Sequence, residues 1–98
     1  MLITRLQLME LVIRPVLAES LGIENEGDIW LSCRLNADLG ANGEYDLRDI
    51  VWRLKRRLLD LGFTVNIDAK EIEGNSFIVA DLLVLVFCKI QALLPQEA

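Results

Sequence analysis

The sequence predicts an all-α domain, a small four-helix bundle of three main helices, one short helix and a long first loop. Three observations carry that prediction. Apolar residues recur at steps of three and four in two long runs, the period of a helix with one buried face. Glycines follow the ends of those runs, where a left-handed residue closes a helix. The chain has 98 residues, so residues 1–98 are read as a single domain with one modest core.

The first helix is predicted over residues 4–21, with Leu6, Met9, Val12, Ile13, Val16, Leu17 and Leu21 on its apolar positions. Thr4 and Gln7 have capping-box spacing at its start, and Gly22 closes it. Pro15 lies inside this run and removes the hydrogen bond to the Leu11 carbonyl. A kink there, or a helix start nearer Arg14, is expected. The long loop, 22–42, carries enough apolar residues to be packed by its own side chains, with Trp30 and Leu39 as anchors and a helical turn around 28–33.

The second helix, 44–61, is the clearest, and Gly62 stops it. Between 63 and 76 a short helix at 68–72 capped by Asp68 is favoured over an extended piece at 63–67. Asn75 or Ser76 is read as the cap of the last helix, with Pro95 beyond its end. That helix leaves almost no polar side, so it is read as buried or as an interface, with homodimerisation through it expected. Asp81 and Lys89 interrupt the run 77–94, which argues against a membrane span.

Composition excludes several kinds of chemistry. The chain has no histidine, which removes the commonest general base and metal ligand. Its net charge of −5 does not suit nucleic acid. Cys33 and Cys88 form no CxxC pair, and Cys88 is read as an inert core thiol. With no apparent signal peptide, a reduced, cytoplasmic protein is expected. "ENEGD" at 24–28 lacks calcium-loop spacing and is read as a solvated loop. Glu44 and Asp46 beside Asp38 suit helix capping better than paired-carboxylate catalysis, and a non-enzymatic role is expected. The hydrophobic fraction of 53% and mean hydropathy of +0.36 leave room for an interface beyond the core.

Several segments in order resemble the acyl carrier protein family, over about residues 6–91. "VLAESLGI" at 16–23 looks like the end of that family's first helix. "LNADLGAN" at 35–42 looks like its "F-x-x-D-L-G-A-D" segment. "YDLRDIVWRLKRRL" at 45–58 takes the place of its second helix, and "IVADLL" at 78–83 resembles the start of its last. Carrier proteins follow that segment with a serine that bears 4′-phosphopantetheine. Here Asp38, Leu39, Gly40 and Ala41 match, Asn42 stands for the second aspartate, Gly43 stands at the serine position and Glu44 follows. The resemblance therefore implies the carrier fold with a degenerate attachment site and no cofactor. Similar short bacterial chains share this segment without a serine. The alternative is a carrier with a non-standard attachment site, on Ser20, Ser32 or Ser76, or one that holds an acyl chain non-covalently.

The second helix has two apolar stripes. With Leu47 at zero and 100° per residue, Ile50, Val51, Leu54, Leu58 and Leu61 fall within about 60° of it, the core face. Tyr45, Trp52 and Leu59 fall near about 120–160°. Residues 48–57 hold five basic side chains (Arg48, Arg53, Lys55, Arg56 and Arg57) against one acid, Asp49, a local net of +4. Carrier proteins present an acidic second helix to their enzymes, so the resemblance implies that this chain avoids those partners. A protein partner with an acidic, apolar surface is expected, docking on Tyr45, Arg48, Asp49, Trp52, Arg53, Lys55 and Arg56. In the competing reading Trp52 packs under the long loop against Ile29 or Leu35, and the cations pair with Asp49, Asp60 and the acidic loop. Asp38 and Asn42 are read as holding the loop and the helix start.

Overall fold

The computed structural model describes residues 3–41, 43–74 and 76–93. Mostly helical, they contain three long helices and no strand beyond a single antiparallel bridge between Arg34 and Ile78. Helix α1 covers residues 5–21 in three consecutive pieces: α-helical Arg5–Leu8, π-helical Met9–Ile13 and α-helical Arg14–Leu21. A 3-10 turn, Glu26–Asp28, lies in the long loop. Helix α2 is Gly43–Asp60, a second 3-10 turn is Ala69–Glu71, and helix α3 is Val79–Leu93. The expected fourth helix is thus a single 3-10 turn.

Helix α1 is the hub. Its C-terminal half packs along α2, its N-terminal half meets α3, and its π-helical middle touches both. The shared core is wholly apolar, with Leu8, Ile13 and Leu17 from α1, Ile50, Leu54 and Leu58 from α2, and Leu82 and Ile90 from α3 all fully enclosed. The 3.6-residue period explains these rows, because each helix turns one stripe inward.

The ends of the helices follow their sequence signals. Thr4 Oγ1 accepts from the Gln7 amide at 3.1 Å while Gln7 Oε1 accepts from the Thr4 amide at 2.9 Å, a complete capping box. Gly22 takes φ of 69°, and the Ile23 amide bonds back to the Ala18 carbonyl at 3.0 Å. Gly62 repeats the device: at φ of 95° it lets the Phe63 amide reach the Leu58 carbonyl at 2.9 Å and places Phe63 in the core. After it, Phe63, Val65 and Ile67 are buried while Thr64, Asn66 and Asp68 are exposed, the alternation of extended chain. Asp68 then caps the second 3-10 turn, accepting from the Lys70 amide at 3.1 Å.

Pro15 leaves no gap, and an α-helical piece starts at Arg14 with the proline in its first turn, one of the two outcomes expected. The preceding turn widens to a π-helix, in which the Arg14 amide bonds to the Met9 carbonyl five residues back. The Leu11 carbonyl, which an ordinary residue at position 15 would satisfy, instead accepts from Arg57 Nε of α2 at 3.0 Å. Arg57→Met is therefore expected to cost about 1 kcal/mol, the net worth of one such bond. In a Pro15→Ala background that cost should fall toward zero, because the backbone amide gained at position 15 can serve the Leu11 carbonyl. Urea unfolding of the four chains in this cycle reads the coupling, and strict additivity would sink the idea.

The long loop departs from expectation in two places. Its turn is at 26–28 rather than around 28–33, capped by Asn25, whose Oδ1 accepts from the Gly27 amide at 2.9 Å. Trp30 is not an anchor: it is 65% exposed, and the neighbouring Ile29 is fully buried in its place. Arg14 Nε donates to the Ile29 carbonyl at 3.1 Å and holds the segment that way round. Leu35 is buried and Leu39 packs against the core edge. The loop then supplies the start of α3: the Val79 amide bonds to the Cys33 carbonyl and the Ala80 amide to the Leu31 carbonyl, both at 2.9 Å. Asp81 Oδ2 accepts from the Ile78 amide at 3.1 Å. This corrects the reading of Ser76 as the cap, since the helix begins three residues later. Asn75 and Pro95 lie outside the described residues.

Helix α3 is less enclosed than its composition suggests. Val79, Leu82, Leu83, Val86 and Ile90 are buried, but Val84 is 53% exposed, and Cys88 is exposed as well. Cys88 is thus not a core thiol. Lys89 pairs with Glu71 at 3.0 Å, and the Arg5 guanidinium stacks 5.0 Å from the Phe87 ring centre. No helix among the described residues is long and apolar enough to cross a membrane.

Candidate docking face and the turn ahead of the second helix

The segment 34–41 folds on itself. The Asp38 carboxylate accepts from the Arg34 amide at 2.7 Å and from Arg34 Nε at 3.4 Å. The Leu39 amide returns to the Arg34 carbonyl at 3.1 Å and the Ala41 amide to the Leu35 carbonyl at 2.8 Å. Gly40 makes the turn at φ of 82°. The Arg34 amide bond is the chief reason that the Asp38 carboxyl titrates below its ordinary range. Asp38 is therefore occupied inside its own turn. Asn42 lies outside the described residues. Gly43 opens α2 with φ of 77°, a left-handed backbone that a side chain such as serine would strain. Open space surrounds it. A groove of about 500 Å³ runs past Gly43, Leu47, Arg48, Asp68 and Lys70. Glu44 bonds Arg48 at 2.6 Å one turn on, with both side chains well exposed, so the pair contributes little to stability.

The second stripe of α2 faces solvent. Tyr45 is 83% exposed, Trp52 56% and Leu59 59%. Trp52 is thus not packed under the loop, and Ile29 and Leu35 are enclosed without it. Its ring instead lies 5.5 Å from the Arg56 guanidinium, a cation–π contact. Trp52 stands as a ridge between two hollows. One, about 360 Å³, is lined by Arg48, Val51, Lys55, Ile67 and Ala69. The other, about 290 Å³, is lined by Val16, Glu19, Arg56 and Asp60.

Apart from Arg48, which pairs with Glu44, the cations of α2 divide into two sets. Asp49 and Arg53 turn toward α1. Ser20 Oγ donates to Asp49 Oδ2 at 2.6 Å, Arg53 Nε donates to the same oxygen at 2.9 Å, and Arg53 also approaches Glu19 at 3.6 Å. Arg57 adds a looser pair with Glu19 at 3.9 Å. These groups clamp α1 to α2 and are spoken for. Lys55 has no ion pair among the described residues, and Arg56 has only its tryptophan there. Among the same residues the acidic loop and Asp60 form no ion pair with these cations, so of the partners weighed from sequence only Asp49 applies. Nothing local in sequence pointed to Ser20 or Glu19; only the i,i+4 spacing of Asp49 and Arg53 was visible.

The Ser20 hydroxyl first, and Arg53 second, lower the Asp49 pKa. A carboxyl that holds its proton more weakly folded than unfolded contributes stability above its ordinary pKa of 3.8 and loses it as pH falls through the lower folded value. Asp38 and Glu71, the latter chiefly through Lys89, shift the same way. Asp49→Asn should therefore cost about 1 kcal/mol at neutral pH and also flatten the acid side of the stability curve. Thermal midpoints at pH 7 and pH 3 check this: equal acid losses in wild type and variant would refute it.

Among the described residues no three Cys, Asp or Glu side chains come together as a metal site would need. The fold and face together define a small helical domain with a half-apolar, half-cationic surface on its middle helix. No family model, no curated protein and no solved structure matches the chain.

Proposed function

We propose that the chain is a non-enzymatic protein-binding module on an acyl-carrier-like scaffold that has lost its prosthetic-group serine. Three helices with a long first loop, and a "DLG" turn just ahead of α2, support the scaffold. The observation that carries the function is the exposed Tyr45–Trp52–Leu59 stripe flanked by Lys55 and Arg56, two cations without an acidic partner among the described residues. Aromatic and arginine side chains on a desolvatable surface are what interface hot spots are made of. The partner surface is apolar at its centre and acidic at its edge. Tyr45 and Trp52 anchor it, and Arg48, Lys55 and Arg56 orient it. Asp49 and Arg53 support the face from behind by fixing α2 on α1.

The alternative is a carrier that bears 4′-phosphopantetheine on another hydroxyl, or holds an acyl chain without a covalent bond. Ser20 is engaged with Asp49, which leaves Ser32 and Ser76, both exposed, as its candidates. Intact mass after incubation with a broad-specificity phosphopantetheinyl transferase and coenzyme A separates the two. The expected mass is unchanged, and a gain equal to the prosthetic group would overturn the module reading. A photo-crosslinking residue at Tyr45 tests docking directly. A discrete adduct in cells that disappears with Lys55→Glu and Arg56→Glu supports it; an adduct indifferent to those changes does not. The exposed Val84 and Cys88 favour one further reading, a symmetric dimer through α3, which Val84→Glu would dissociate.

A further inference from the structure

The chain carries, on a second surface, the complement of its own α2 face. Ile29 is extended, at φ −92° and ψ 104°, and its side chain is fully buried. Asp28, at the end of the 3-10 turn, and Trp30, just beyond it, are both exposed on either side of this buried residue. Glu24 and Glu26 stand beside them, and none of the three acids has an ion pair among the described residues. Leu31 extends the patch, 48% exposed. Arg14 holds the backbone of this segment from beneath, so the indole and carboxylates are presented on a fixed support. One surface therefore offers an exposed tryptophan edged by unpaired acids. The other offers an exposed tryptophan edged by Lys55 and Arg56, with an apolar-floored hollow of about 360 Å³ alongside.

We propose that the partner of the α2 face is a second copy of this chain, which inserts Trp30 beside Trp52 and sets Glu26 and Asp28 against Lys55 and Arg56. This rests on the docking reading above and names its occupant. The two patches are made of different residues, so a single contact between them is head-to-tail, leaves one patch of each kind free at its two ends, and can add further copies as a ring or an open chain. The patches are small, so association falls at about 100 µM, the weak end of specific contacts. Opposite charges at its rim make it sensitive to salt.

Sedimentation velocity of the full chain from about 10 µM to about 1 mM reads the association. The mean mass is expected to rise with concentration past that of a dimer, and to fall back at about 0.5 M sodium chloride. Two variants each remove one half of the contact: Trp52→Ala with Arg56→Ser, and Trp30→Ala with Glu26→Gln. All four side chains are exposed, so both variants are expected to fold, which circular dichroism checks. The variant lacking Trp52 should associate at least about thirtyfold more weakly and the other at least about tenfold, and an equimolar mixture should recover a complex that stops at one copy of each. Wild type that stays monomeric throughout, or a mixture that stays monomeric, overturns the proposal. Association that survives in both variants moves the contact to the α3 face and also overturns it. Should self-association fail, a charge-dependent crosslink from Tyr45 to another protein would still stand for docking.

Discussion

Leu54→Ala is expected to lower the unfolding free energy by about 2–5 kcal/mol, a large part of the whole for a domain of this size. Leu54 has no exposed surface and sits mid-way along α2, where it meets α1. Its neighbours Ile50, Val51 and Leu58 belong to the same inward stripe, so no polar group or solvent can take the vacated space. The cost includes both the lost transfer of a side chain and the cavity left behind. Leu59→Ala, five residues on but outward, is the control and should change stability by well under about 1 kcal/mol. Chemical denaturation of both variants decides the matter. Similar losses for the two would mean that α2 does not present Leu54 inward and Leu59 outward.

Trp52→Ala should have the opposite profile. The side chain is more than half exposed, its ring stacks with the Arg56 guanidinium, and such a cation–π contact at the surface is worth about 0.5–1 kcal/mol. Folding stability should therefore shift by no more than about that amount. Docking through α2 should weaken by at least about 2 kcal/mol, roughly thirtyfold, if Trp52 is the centre of the face. Titration calorimetry or sedimentation against the self-associating chain reads the loss, with the thermal midpoint measured beside it. A variant that unfolds would make Trp52 structural. A variant that folds and binds as before would leave the face without its centre.

The helices were legible because their signal is local. The steps Leu47, Ile50, Val51, Leu54 and Leu58 fix one face of α2 whatever it packs against. Thr4 with Gln7, Gly22 and Gly62 are likewise decided within one turn of chain. The misread positions are those set by residues distant in sequence. Ile29 and Trp30 are adjacent and both apolar, and which of them turns inward depends on Arg14 gripping the Ile29 carbonyl from another element. The bond lost at Pro15 was foreseeable, but its replacement comes from Arg57, 46 positions from Leu11. From sequence Arg53 counts with the basic residues of α2 and Asp49 as their one acid, and only the phase of α2 on α1 sets the pair against Ser20 and Glu19. Cys88 lies in an apolar run, and only the placement of α3 decides which side of that run meets solvent.

The Val79 and Ala80 amides that lead α3 are held by loop carbonyls rather than by a capping side chain. Solvent exchange of those two amide hydrogens is therefore gated by the detachment of residues 31–33 and not by fraying of the helix. The two protons form a built-in clock for the loop. Isotope exchange read at both would report how often the Trp30 platform lifts from the body of the molecule, while the amides of Leu83 and Val86 deeper in the helix kept slower time.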